Sequence, residues 1–239
     1  MLLFLFVLLS QFTYSQSPAI DSSNYQVALK EAKTLYLESI KENYSLYNGG
    51  EYGRKGNQVI GFPFFDSAGM LKGAVYYNDN WYEHLLLQFD ISSEQIVIYD
   101  YSKNNLIALQ NERIPEFKID GHSFFRMDSS ASLSYKGYYE QLSSGSVTLW
   151  AKRFKKMELS AKAEDNSAKY KEYDFYYIQK NKEFYSVNTR QSLEHILADK
   201  GAEIKKYIKQ GNIDFKHHFE DAILKIVSYY NQLTNRNGL

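Results

Sequence analysis

The sequence predicts an α+β, mainly β protein: an antiparallel meander forming a curled sheet, barrel or sandwich, with an N-terminal helix and a C-terminal helical hairpin. Three observations predict it. Across residues 58–188, short runs rich in Val, Ile, Tyr and Phe alternate with Gly, Asn, Asp and Ser. No helix-period stretch of ten residues interrupts those runs, so the long crossovers that parallel strands require are missing. On both flanks the apolar period lengthens to three and four residues, the spacing of a helix face.

The first nine residues (MLLFLFVLL) are apolar, and no charge appears before Asp21. A bilayer span needs about 20 apolar residues, whereas the apolar region of a secretory signal needs about 7–15. Thr13 and Ser15 place small side chains before a cut ahead of Gln16, although no Lys or Arg precedes the apolar run. The expectation is a signal peptide over residues 1–15. The remainder, 16–239, is read as a single domain, secreted to the periplasm or the exterior, with no transmembrane segment in the mature chain.

A helix is expected over residues 24–47, where Ala28, Ala32, Leu35, Tyr36 and Ile40 recur at helical intervals and Asn48-Gly49-Gly50 provides a stop. Within the β unit the expected strands fall at 59–65, 73–77, 81–91, 95–100, 105–110, 117–120, 123–127, 137–142, 147–153, 173–179 and 183–187. Tyr77–Trp81 and Gln179–Glu183 read as hairpin connections, with Asp120-Gly121 and Ser144-Gly145 as tight-turn pairs. The polar stretch Ala161–Lys171 reads as a solvated loop. Residues 190–239 return to helix: Ser192 is the expected cap, Gly211-Asn212 closes one segment, and Phe219, Ala222, Ile223, Ile226, Val227, Tyr230 and Leu233 mark one face of the last.

Composition narrows the function. The 239 residues hold 28 basic and 28 acidic side chains and no cysteine. Charge balance argues against a nucleic-acid partner. Without cysteine there is no disulfide framework, thiolate metal site or lipidated N-terminal cysteine. No phosphate-binding glycine loop and no G-x-S-x-G elbow occurs, so no cofactor is expected. The five histidines lack the i, i+4 spacing of a zinc helix, and the adjacent His217 and His218 diverge by about 100° on a helix, so no metal is expected. The basic run Lys152–Lys156 alternates on a strand and reads as a solvated face.

Two candidates for function remain. Asp120 and His122 bracket a turn between aromatic strands, where a carboxylate could orient a general base. More unusual is the aromatic set, 22 Tyr, 15 Phe and 2 Trp, with doublets at 76–77, 138–139, 176–177 and 229–230. A strand doublet sends one ring to each face of a sheet. Trp81, Tyr82, Tyr139 and Trp150 are therefore the expected binding aromatics of a sheet face that takes a glycan or an envelope protein. The leading reading is a non-catalytic binding or assembly protein of the cell envelope. The alternative is a hydrolase with dispersed carboxylates and His122 near a sheet mouth.

The order LYNGGEY (46–52), GFPFF (61–65), GAVYYNDNWYEHLLLQFDI (73–91), IVIYD (96–100), IDGHSFFRM (119–127), GYYEQL (137–142), LWAKRFKK (149–156) and ILKIVSYYNQL (223–233) resembles a family of exported proteins of unknown function from Bacteroidota. The resemblance spans residues 46–233. It implies an envelope or extracellular location in a Gram-negative cell and carries no catalytic assignment.

Overall fold

The computed structural model describes residues 46, 48–53, 59–100, 104–128, 132–159 and 168–236, together with 25, 27–29 and 31. The chain divides into two compact units, residues 1–44 and 45–239. In the first, Tyr25, Val27, Ala28, Leu29 and Glu31 are helical, within the helix expected at 24–47. The signal peptide expected over 1–15 lies outside the described residues.

The second unit is built on one sheet of twelve strands. These are β1 (Gly50–Glu51), β2 (Val59–Ile60), β3 (Leu71–Tyr77), β4 (Asn80–Asp90), β5 (Gln95–Asp100), β6 (Asn105–Ala108), β7 (Glu116–Ile119), β8 (His122–Met127), β9 (Gly137–Ser143), β10 (Thr148–Leu159), β11 (Ala168–Lys180) and β12 (Glu183–Ser186). Their order in space is β1-β6-β5-β4-β3-β7-β8-β9-β10-β11-β12, with β2 added to β11. Every pairing is antiparallel except that of β2 with β11. The turn residues explain the tight hairpins. Asn78-Asp79, Asp120-Gly121 and Asn181-Lys182 all have positive φ, the backbone that joins right-twisted strands without splaying them. Residues 168–171, expected in a loop, instead extend β11, because each pairs in register with Lys156–Leu159 of β10.

Neighbouring strands rotate by about 20–25°, so a sheet this wide curls rather than staying flat. Bulges at Gly73/Val75 and Leu149/Trp150 add to the bend. The curl brings β10 back towards the end of β4: the Lys155 amide donates to the Ile91 carbonyl at 3.4 Å, and the Lys155 ammonium donates to the Phe64 carbonyl at 2.6 Å. The basic run of β10 is therefore not a solvated face. Lys152, Arg153 and Lys155 are buried, because the curl and the helices cover both sides of the strand there and supply each cation with an acidic partner. Among the described residues the sheet does not close; β1 lies at one edge, and β12 and β2 at the other.

Inside the curl, alternate residues of β3–β9 form a core around Phe89, Phe117, Phe124 and Tyr138, with ring centroids 4.9–5.6 Å apart. A second core joins Val147, Leu149 and Ile178 to three helices: α1 (Arg190–Ile196), α2 (Gly201–Gln210) and α3 (Phe219–Arg236). Thr189, not Ser192, is the N-cap of α1. Its hydroxyl accepts from the Ser192 amide, and Ser192 at the third helical position returns a bond to the Thr189 amide, a reciprocal capping box. Asn231 fastens α3 to the sheet, its amide group accepting from Val147 N and donating to Val147 O at 2.9 and 3.0 Å.

Candidate binding surface

Alternation on β9 and β10 places polar groups where the two cores meet. Tyr138 and Glu140 alternate on β9, and Leu149, Ala151 and Arg153 on β10. Tyr138 packs in the ring core and Leu149 under the helices, while Glu140 and Arg153 sit between, 2 % and 8 % exposed. Arg153 donates to Glu140 Oε2 at 2.7 Å and grips both oxygens of Glu220 on α3 at 2.5 and 3.0 Å. Asp174 lies 3.3 Å from the same guanidinium, and Tyr176 donates to Glu220 at 2.8 Å.

His122, the general base expected at the β7–β8 turn, belongs to this network. Its Nδ1 is 2.5 Å from Glu140 Oε1, and Phe65 meets its ring edge-on with centroids 5.0 Å apart. A carboxylate can only accept, so in this contact Nδ1 carries the proton and donates. The carboxylate that orients His122 is therefore Glu140. Asp120 is exposed at the turn, with φ of 47°, and its amide donates to the Lys72 carbonyl.

Charge complementarity decides the state of the cluster. Burial works against the Arg153 cation, but Glu220, Glu140 and Asp174 outweigh it and hold its pKa above the ordinary arginine value. Burial likewise works against ionised Glu220, yet Arg153 and the Tyr176 hydroxyl keep its carboxyl below the usual range. Asp174 goes the other way, its carboxyl raised by burial despite Arg153. The network ties β8, β9, β10 and β11 to α3.

The four expected binding aromatics do not share a surface. Tyr82 points into the curl and is 8 % exposed. Tyr139 and Trp150 lie on the outer face, as alternation requires, but are 0 % and 6 % exposed. They form a third core with Tyr177 beneath Leu133, and the Tyr139 hydroxyl donates to the Tyr135 carbonyl at 2.6 Å. Trp81 alone of the four is open, at 40 % exposure.

Around Trp81 the outer face of β3, β4 and β7 offers a recognisable surface. Tyr76 is its cross-strand partner, with centroids 5.5 Å apart, and the Lys118 ammonium lies 5.3 Å above the indole. Leu86 on the same face is 40 % exposed. Beside it runs an open groove of about 480 Å³ whose walls include Lys72, Glu83, His84, Lys118 and Asp120. His84 occupies the β4 bulge at φ 58°, a conformation costly for a side chain with a Cβ. Its strand partner side is pinned by Gly73, where a Cβ would stand 2.2 Å from the Lys118 carbonyl and 2.6 Å from Leu87 Cδ1. A bulge that turns one side chain out of register is a common way to aim it at a site.

Tyr76 could have been found from sequence, because a two-residue Asn78-Asp79 turn sets it opposite Trp81. His84, Lys72 and Lys118 depend on the bulge and on β7 returning beside β3, and the sequence carries no local sign of either. Among the described residues, no three His, Asp or Glu side chains gather to hold a metal ion, and no helix is long and apolar enough to cross a membrane. No family model, curated protein or solved structure matches the chain.

Proposed function

We propose that the chain is an exported, non-catalytic binding protein whose outer β3–β4–β7 face takes a saccharide of an envelope glycan. The observation that carries this reading is Trp81, a large ring left 40 % exposed beside Tyr76 and under Lys118, which also lines a groove of about 480 Å³. Sugars present an apolar ring face and an edge of hydroxyls. The first suits a stacked indole, and the second needs donors and acceptors together, which Lys72 and Lys118 with Glu83 and Asp120 supply. The groove falls in the usual size range of small-molecule sites, roughly 300–1,000 Å³. Lys118 rests on the indole at a cost of only about 0.5–1 kcal/mol to displace, so a sugar can replace it. The apolar run of residues 1–9 and the resemblance to exported Bacteroidota proteins support placement in the envelope.

His122 is the basis of the alternative reading, hydrolysis, because a carboxylate on Nδ1 leaves Nε2 to act as a base; the same Glu140 is also held by Arg153, which ties it to Glu220 of α3. The test is a glycan array followed by titration calorimetry with wild type and Trp81→Ala. Binding of envelope saccharides that falls at least about tenfold, 1.4 kcal/mol, in the variant is the expected result. Wild-type binding to no glycan, or equal binding by Trp81→Ala, overturns the reading.

A further inference from the structure

A second cavity, away from Trp81, has a different chemistry. It encloses about 430 Å³ between the segment that follows β2, the β4–β5 turn and β11, and four aromatic rings stand in its walls: Tyr52, Phe62, Phe64 and Tyr170. Asp90 lines it at 3 % exposure. Five neutral donors satisfy this carboxylate. Oδ1 accepts from the Ser92 amide, the Ser92 hydroxyl and the Ser93 amide at 2.7–3.0 Å, and Oδ2 accepts from the Ser93 hydroxyl at 2.6 Å and the Tyr52 hydroxyl at 2.8 Å.

The Oδ1 bonds explain the turn; they do not explain the second oxygen, which is turned to a ring of the cavity wall. Nor does the turn neutralise the charge. Among the described residues, no Lys, Arg or His nitrogen lies within ion-pair distance of Asp90. A buried anion whose partners among the described residues are all neutral favours a positive charge beside it. The ring faces of Tyr and Phe add negative potential of their own. They already hold one ammonium: that of Lys155 lies 4.4 Å from the Phe62 centroid, anchored there by the Phe64 carbonyl at 2.6 Å and by Glu172 at 3.4 Å.

We propose that this cavity binds an organic cation, a small alkylammonium group seated among Tyr52, Phe64 and Tyr170 with Asp90 as its counter-charge. The rings supply the contact area, and the carboxylate supplies the preference for positive charge. The site is independent of the Trp81 face.

The test titrates the full chain by calorimetry with choline and with 3,3-dimethylbutanol, its neutral counterpart of equal shape. Choline should bind, and the alcohol should bind at least about tenfold more weakly, since a desolvated cation–ring contact carries such a preference. Tyr170→Leu should weaken choline by a similar factor, roughly tenfold, because one wall of the cage is lost. Asp90→Asn should abolish the difference between the two probes, with circular dichroism confirming that the variant is folded. Trp81→Ala should leave choline binding unchanged. Absence of choline binding at about 10 mM, equal affinity for the alcohol, or loss of binding in Trp81→Ala overturns the proposal.

Discussion

Replacing Arg153 with Met tests whether the polar seam between the two cores is a structural tie. Met keeps much of the aliphatic stem and removes the guanidinium, so packing changes little. Glu140, whose side chain is 3 % exposed, would then be left with His122 as its remaining charge partner, and Glu220 would lose both of its bonds to β10. Removing one member of a buried pair costs about 3–5 kcal/mol, because the other charge stays in a poorly solvating site. In a domain of this size each kcal/mol shifts the melting temperature by roughly 2–4 °C, so the melt should fall by about 6–20 °C. Urea unfolding followed by far-ultraviolet circular dichroism gives the free energy directly. The decisive comparison is Arg153→Met with Glu140→Gln. If the loss comes from a stranded carboxylate, the double variant recovers a large part of it, about half or more. A single-variant cost under about 1 kcal/mol, or double-variant costs that simply add, would refute the reasoning.

Other consequences follow from burial and charge. Trp150→Ala should cost about 3–5 kcal/mol in urea titrations, whereas Trp81→Ala should cost only about 0.5–2 kcal/mol, the loss of its pair with Tyr76 and of the Lys118 contact, because only the first ring is in a core. Asn231→Ala strands the amide and carbonyl of Val147, and at about 1–3 kcal/mol for each unpaired buried group it should visibly lower the melting temperature. Gly137→Ala should destabilise by about 1–3 kcal/mol from backbone strain at φ 115° alone, and its Cβ would stand 1.6 Å from Glu94 Oε2. That carboxylate also takes the Lys152 ammonium and the Tyr138 amide, so differential scanning calorimetry should show a larger loss than for Gly121→Ala, whose Cβ would meet nothing within 4 Å. On the acid side, burial raises but Arg153 and Tyr176 lower the Glu220 carboxyl, and the net is a depressed pKa. The stability it lends is complete above the unfolded glutamate value of about 4.3 and is lost as pH falls through the lower folded value. Urea midpoints from neutral pH downwards should therefore show a shallower acid decline in Glu220→Gln than in the wild type.

Much of the fold can be read from the residues, because turn chemistry and alternation act locally. Asn78-Asp79, Asp120-Gly121 and Asn181-Lys182 mark three hairpins by their tolerance of positive φ, and the alternation between them places Val75, Tyr77, Phe117 and Ile119 inside. The helix face from Phe219 to Tyr230 is equally legible by its period. What escapes is whatever depends on pieces distant in the chain. Residues 168–171 look like a loop because Lys, Tyr and Lys carry no apolar run, yet they pair with β10 throughout. The Glu140–Arg153–Glu220 network joins residues 13 and 67 positions apart, and no spacing rule links them. The doublet Tyr138-Tyr139 shows the limit well. Alternation correctly sends its rings to opposite faces, but whether the outer one meets water depends on the segment carrying Leu133 and Tyr135, which lies over it.

That last contrast is also an argument about function. Outer-face rings occur in two groups on the same sheet, and the fold treats them differently. Over β8–β11, Phe125, Tyr139, Trp150 and Tyr177 pack with Leu133, which is only 2 % exposed as it fills the gap. Over β3, β4 and β7, Tyr76, Trp81 and Leu86 have a two-residue hairpin turn at one end and a bulge in the middle, and Trp81 and Leu86 remain 40 % exposed. Exposed aromatic surface weakens solubility, and the open part of a ring lends the folded chain no stability, so folding alone gives little reason to leave an indole uncovered there. Lys118 over the indole and Lys72, Glu83 and His84 beside it are what a surface needs to stay soluble without a partner and still offer a ring to one. If substituting both Trp81 and Leu86 by Ser raised solubility, kept the melting temperature and left every binding activity of the protein intact, the open ring group would have no role and the case for a binding face would fail.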